Sequence, residues 1–101
     1  MRRARVFFNG RLAGLLTEEN GRYLFEYDKD YKGPPISRTM PRETRRFEFE
    51  AFPSFFDGLL PEGVNLEAFL RRTKIDRKDY FSQLLAVGHD LVGAVTVEES
   101  A

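Results

Sequence analysis

The dipeptide Asn9-Gly10 constrains this chain more than any other feature, because it separates two short apolar stretches, Val6-Phe7-Phe8 and Leu12 to Leu16. Both residues tolerate positive φ, which a type I′ hairpin turn requires. Ala4 to Asn9 therefore reads as a first strand, since Val6, Phe7 and Phe8 favour a pleated, packed surface. Arg11 to Thr17 is its returning partner, with Leu12, Gly14 and Leu16 on one face. Gly14 weakens that strand and marks a candidate bulge. Glu18-Glu19-Asn20-Gly21 is a second turn. Arg22 to Tyr27 follows as a third strand, with Tyr23, Phe25 and Tyr27 sharing a face at period two. The chain is thus expected to begin as a three-stranded antiparallel meander.

Asp28 to Pro35 reads as a loop, because Gly33-Pro34-Pro35 forces an extended or turned backbone. Ile36 to Met40 is expected as a short strand ended by Pro41, and Arg42 to Arg46 as a charged connection. Phe47 and Phe49 alternate with Glu48 and Glu50, the pattern of a short edge strand or of the approach to a helix. Phe52, Phe55, Phe56, Leu59 and Leu60 then fall at i, i+3, i+4, i+7 and i+8, one apolar stripe of a helix. Pro53 suits its first turn and Pro61 stops it. A helix this short is unstable alone in water, so its stripe has to be buried. The opposite face carries Ser54, Asp57 and Gly58. Gly58 costs about 1 kcal/mol against Ala inside a helix. It is read either as a tolerated glycine on a core helix or as a point of close approach by another backbone or a partner.

Asn65 is the expected N-cap of a second helix, with Glu67 in its first turn, Leu66, Phe69 and Leu70 as its stripe, and Arg71, Arg72 and Lys74 near its end. Asp76 is the expected cap of a third, carrying Tyr80, Phe81, Leu84 and Leu85, with Gly88 as the glycine that follows the helix. Leu91 to Val97 reads as a last strand rejoining the first three, and Glu98 to Ala101 as a polar tail. Strands, then helices, then one strand define the α+β class, here a small antiparallel sheet with about three short helices in a single domain over residues 1–101.

A chain of 101 residues is long enough to bury a core without staples. Its sixteen basic and sixteen acidic residues cancel, so a broad basic field for nucleic acid is missing. The absence of cysteine removes disulfides, thiol catalysis and thiolate metal sites, and it fits a reducing compartment. No apolar run is long enough to span a membrane. Val6-Phe7-Phe8 is too short for a secretory signal core. The cytoplasm is the expected location, with no membrane partner.

A search for chemistry finds little. His89 is the single histidine and precedes Asp90, but a dyad also needs a nucleophile and an oxyanion donor. One histidine among scattered carboxylates has no metal-ligand spacing. No glycine loop precedes a helix with the lysine that cradles phosphates. No catalytic residue, cofactor or metal is therefore expected. The cluster Arg38, Arg42, Arg45 and Arg46 is the best candidate for nucleic acid, which makes an autoregulatory DNA-binding accessory the alternative function. Glu43, Glu48 and Glu50 lie among or beside these arginines and favour a solvated loop or a protein-facing surface.

Phe55-Phe56-Asp57-Gly58-Leu59-Leu60-Pro61-Glu62 and Val87-Gly88-His89-Asp90-Leu91-Val92-Gly93-Ala94-Val95 together resemble the N-terminal subdomain of HipA-type toxin kinases. Val6-Phe7-Phe8-Asn9-Gly10 with Gly14 and Leu16, and Ser37 to Pro41, fit the same pattern in the same order. In that family a kinase body carrying the ATP-binding and catalytic residues follows, and none of its motif positions is present here. Split members of the family pair a small HipS chain with a shortened HipT kinase toxin and a helix-turn-helix protein, HipB. The resemblance implies a non-enzymatic HipS-type antitoxin that binds and neutralises a HipT-type serine/threonine kinase, and that meets DNA only indirectly through a HipB-type partner. The residues proposed to face the kinase are Asp57, Gly58, Leu59, Leu60, Pro61, Glu62, Gly63, Val64, Asn65 and Phe69. Leu59, Leu60, Val64 and Phe69 are its candidate anchors, Asp57 and Glu62 its candidate ion-pair partners, and each is equally a candidate for the core.

Overall fold

Positive φ at Asn9 (49°) and Gly10 (83°) closes the first hairpin as a type I′ turn, and the same pair of conformations at Asn20 (54°) and Gly21 (78°) closes the second. The computed structural model describes residues 1–91 and 93–100. Strands β1 (Arg2–Phe8), β2 (Arg11–Glu19) and β3 (Arg22–Tyr27) form the expected meander. Strand β4 (Arg46–Phe49) joins the edge of β3, and β5 (Val95–Ser100) returns to pair with β1, giving a five-stranded antiparallel sheet in the order β4-β3-β2-β1-β5. The last strand thus rejoins the sheet, and the class is α+β. Helices α1 (Ser54–Asp57), α2 (Gly63–Thr73) and α3 (Tyr80–Val87) follow β4 in the chain.

One face of the sheet carries the core. Ala4, Val6, Leu16, Phe25 and Val97 are fully buried there together with Phe56 of α1 and Phe81 and Leu84 of α3. The register shows a bulge: Val6 lies opposite Gly14 but Phe7 lies opposite Leu12, leaving Ala13 as the extra residue. The bulge resets the alternation, so Ala13 is buried and Leu12 is 39% exposed. Leu12 therefore does not share the inner face with Gly14 and Leu16 as the strict alternation predicted. Gly14 is needed for space, since a Cβ there would stand 2.5 Å from the Glu26 carbonyl and 2.7 Å from the Phe25 ring.

Ile36 to Met40 is a turn and not a strand. The Met40 amide donates to the Ser37 carbonyl (3.1 Å) and the Ser37 hydroxyl accepts from the Thr39 amide (3.2 Å). That local side-chain acceptor competes with any ladder. The Tyr27 hydroxyl fixes the turn to the sheet, donating to the Met40 carbonyl (2.5 Å) and accepting from the Ile36 amide (3.0 Å).

The third helix is capped by Asp79 rather than by Asp76. Asp79 accepts from the Ser82 amide (3.1 Å) and hydroxyl (2.7 Å), whereas Asp76 accepts from the Lys78 amide (2.7 Å) in the turn before it. Gly88 ends α3 with a right-handed φ of −55°, not the left-handed one expected of a terminating glycine. Its role is clearance: a Cβ would fall 2.1 Å from the Val97 carbonyl oxygen of β5, and the Val97 amide donates to the Gly88 carbonyl (3.1 Å).

The final strand starts at Val95 and not at Leu91, and Val92 lies outside the described residues. Glu98 to Ser100, expected as a tail, pair with Arg5 to Arg3. Opposite charges across the strands favour that pairing, and Arg5 meets Glu98 at 3.2 Å. Ala101 is outside the described residues.

Arg2 ties β1, β2 and α3 together. Its guanidinium donates to both Glu18 oxygens (2.9 and 2.7 Å) and to the Ser82 hydroxyl (2.9 Å), and it pairs with Asp79 (3.0 Å). The same guanidinium lies 4.9 Å from the centroid of the Phe81 ring. Hydrogen bonds from Arg2 hold the Glu18 carboxyl below the usual carboxylate range against the opposing effect of burial. Burial pushes Asp79 upward, but the Ser82 and Arg2 contacts outweigh it and its pKa is also lowered.

Candidate functional site

The α1–α2 segment is built differently from the single helix its stripe predicts. Only Ser54 to Asp57 is α-helical, with Pro53 as an extended N-cap instead of a first-turn residue. The amides of Leu59 and Leu60 then bond back three residues, to the carbonyls of Phe56 and Asp57 (both 3.1 Å). This tightening towards a 3₁₀ geometry turns the chain before Pro61. It drives Phe56 and Leu60 into the core and leaves Leu59 half-buried.

The second helix begins at Gly63, two residues before the Asn65 cap expected from the sequence. Glu62 is its N-cap, without a side-chain capping bond, and Gly63 takes φ +57°. A Cβ on Gly63 would meet nothing within 4 Å, so its glycine serves the left-handed backbone. The sharp entry presents the next residue outward, and Val64 is 81% exposed, the most exposed large hydrophobic residue described.

Phe69 is the one buried residue of α2, so this helix is displayed more than it is packed. Its C-terminal end is closed by left-handed Lys74, whose amide donates to the Leu70 carbonyl (2.9 Å), and a bidentate pair between Arg77 and Glu67 (2.7 and 2.8 Å) ties the segment after the helix back to its middle. Arg71 and Arg72 sit in its last turn, at the negative end of the helix dipole.

Of the ten candidate residues, Asp57, Gly58, Glu62, Gly63, Val64 and Asn65 are exposed, Leu59 and Pro61 are half-buried, and Leu60 and Phe69 are buried. The exposed members lie in two stretches, Asp57-Gly58 and Glu62 to Asn65, each carrying one carboxylate and separated by Leu59, Leu60 and Pro61. Leu60 is part of the main core cluster. Gly58 has right-handed φ (−64°), and a Cβ there would touch only the Phe55 and Ser54 carbonyls, at the ordinary distances of 3.4 and 3.6 Å. Among the described residues no other part of the fold comes within 4 Å of that Cβ position.

Beside the turn runs a groove of about 720 Å³. Leu59, Leu60, Pro61 and Phe69 line it together with Val87 and Leu91, and Arg72 and Asp90 add polar groups to the lining. Val87, Leu91 and Asp90 were not among the residues expected at the site. Their only sequence signal is membership of the second resembling motif, which lies far from the first in the chain. His89 and Asp90 are both exposed in the turn after α3.

Two members of the arginine cluster hydrogen-bond the backbone of the fold. Arg42 donates to the Tyr31 carbonyl (3.2 Å) and Arg45 to the Tyr27 carbonyl (3.3 Å), so both serve the fold. Arg38 lies in the Ser37–Met40 turn and Arg46 on β4. Among the described residues no group of three or more metal-ligating side chains converges, and no helix is long and apolar enough to cross a membrane.

Comparison with known proteins agrees with this architecture. The solved structure of the N-terminal domain of HipA toxin superposes with a TM-score of 0.81 at 29% identity, covering all of this chain and 94% of that one. An uncharacterised protein of Haemophilus influenzae is 34% identical over 99 residues, which span 98% of this chain and 93% of the relative. The family model of the HipA N-terminal domain matches residues 4–98. By fold and by sequence, the chain belongs to the HipA N-terminal domain family.

Proposed function

We propose that this chain is an antitoxin of the HipS type: it binds a HipT-type serine/threonine kinase toxin through the α1–α2 turn and suppresses its activity. The observation that carries this reading is Val64, an aliphatic side chain 81% exposed on a turn whose sharp entry left-handed Gly63 provides. Burying one valine side chain contributes about 1.5–3 kcal/mol, the range of an interface anchor. Asp57 and Glu62 flank it and steer the turn towards a basic cleft. The adjoining groove receives an apolar element of the kinase. A HipB-type helix-turn-helix protein completes the assembly and makes its DNA contacts, in the cytoplasm.

The test is co-expression with the cognate kinase. The wild-type chain restores growth and co-purifies with the toxin. Val64→Asp weakens the complex at least tenfold, about 1.4 kcal/mol, while its melting temperature stays that of the wild type. Leu60→Asp lowers the melting temperature itself, because it buries a charge. Kinase activity that is unchanged by excess wild-type chain refutes the antitoxin reading.

A further inference from the structure

Among the described residues nothing covers the sheet face opposite the helices, and its side chains form an ordered charge pattern. One row runs straight across all five strands: Arg46 on β4, Glu26 on β3, Leu15 on β2, Arg5 on β1 and Glu98 on β5. Directly paired residues point to the same side of a sheet. The neighbours of this row along each strand, Phe25, Leu16, Ala4 and Val97, are buried on the helix side, so this row faces outward. Its signs read plus, minus, neutral, plus, minus. That sequence is antisymmetric about Leu15: reversing its order also reverses every sign.

A second copy laid face to face, related by a two-fold axis along β2, reverses the order. Each Arg5 then stands over the other copy's Glu26, each Glu98 over its Arg46, and Leu15 meets Leu15. In the next outward row Leu24, half-buried, lies over the aliphatic stem of the other copy's Arg3, and Thr17 meets Thr17. An arbitrary partner has no reason to match this alternation, whereas an identical chain matches it by symmetry.

We infer that the open face of the sheet is a self-association surface, occupied by a second copy of this chain through reciprocal Arg5–Glu26 and Arg46–Glu98 contacts. Strands about 4.8 Å apart give a face roughly 20 Å wide, on the order of 400 Å² per copy. The total of about 800 Å² is below the standard size of specific interfaces, so the dimer is weak, transient and sensitive to salt. The inference is independent of the kinase reading, because it uses the other side of the molecule.

Sedimentation equilibrium of the full chain tests it, at concentrations up to about 1 mM and at low and high ionic strength. Wild type associates at low salt and dissociates at high salt. Glu26→Arg alone and Arg5→Glu alone each place two like-charge contacts in the dimer, and each loses association by more than tenfold. An equimolar mixture of the two variants regains it. In the mixed dimer one of the two reciprocal contacts has its charges exchanged between the copies, and the other is the native Arg5–Glu26 pair. Thermal melts of the separate variants report their folding. A wild-type chain that stays monomeric at low salt overturns the inference. So does a Glu26→Arg chain that associates like wild type, or a mixture no better than its components. If the face is protected only when the kinase is added, the occupant is a different protein and the inference fails.

Discussion

Replacing Gly88 by alanine tests how α3 is joined to the sheet. The backbone at Gly88 is helical (φ −55°, ψ −31°), a conformation alanine prefers, so local propensity predicts a gain. The tertiary structure predicts a loss. The new Cβ would lie 2.1 Å from the Val97 carbonyl oxygen and 2.9 Å from the Val97 carbonyl carbon. The first distance is more than about 1 Å short of van der Waals contact. Those atoms are backbone within a paired strand and have no rotamer to change. Relief requires α3 and β5 to separate, which breaks the Val97–Gly88 hydrogen bond of 3.1 Å. Overpacking costs about 1–3 kcal/mol and the lost bond about 0.5–1.5 kcal/mol, together about 2–4 kcal/mol. For a domain of this size the melting temperature falls by roughly 10–25 °C. Urea titration followed by far-ultraviolet circular dichroism measures the difference directly. A second variant separates this cause from a left-handed terminating glycine, which would accept asparagine more readily than alanine. Here Gly88→Asn costs at least as much as Gly88→Ala. An alanine variant within about 0.5 kcal/mol of wild type, or an asparagine variant milder than alanine, would refute the steric reasoning.

Gly58 behaves in the opposite way. Its φ is right-handed and a Cβ has room, so Gly58→Ala raises stability by about 0.4–1 kcal/mol in the same titration. Gly58→Arg leaves folding intact yet weakens capture of the kinase, which a pull-down with the purified toxin measures. Acid sensitivity tests the Arg2 network. Glu18 and Asp79 have carboxyl pKa values lowered by folding, so the unfolded chain binds more protons. Their contribution is fully present above the ordinary carboxylate pKa of about 4 and disappears as pH falls through the depressed folded values. Urea midpoints of wild type therefore drop over that interval, and Glu18→Gln lowers the midpoint at neutral pH and flattens the acid slope.

The elements that local chemistry decides were legible in the sequence. Asn9-Gly10 and Asn20-Gly21 dictate their own turns, and Tyr23, Phe25 and Tyr27 alternate because β3 is covered on one face. The kin of this fold were visible too, in two motifs that the structure brings together at one groove. What escaped was decided at a distance. Phe52 to Leu60 has a continuous helical stripe, yet the chain coils tighter after Asp57 so that Leu60 reaches the core and Pro61 turns away. Asn65 and Asp76 are both chemically good caps, but the caps fell to Glu62 and Asp79, where positive φ at Gly63 and the hydroxyl of Ser82 set the starts. Glu98 to Ser100 look like a solvated end until Arg3 to Arg5 are placed opposite. Gly88 carries the signature of a helix terminator, and only the passage of β5 reveals a different reason for it. Within the candidate site, composition alone did not separate Val64 from Leu60. Their neighbours did, through the direction in which Gly63 and the turn after Asp57 send the chain.

The position of β1 between β2 and β5 has a consequence for synthesis. Its partner on one side, β2, is made immediately after it, but the partner on the other side is Val95–Ser100. A nascent chain on the ribosome therefore carries a bare edge along Arg2–Phe8 until nearly all of the domain has emerged. Such an edge is a template for illicit strand addition. Arg3 and Arg5 along it act as charged gatekeepers during that wait, and prompt delivery of β5 decides whether a new molecule matures or aggregates.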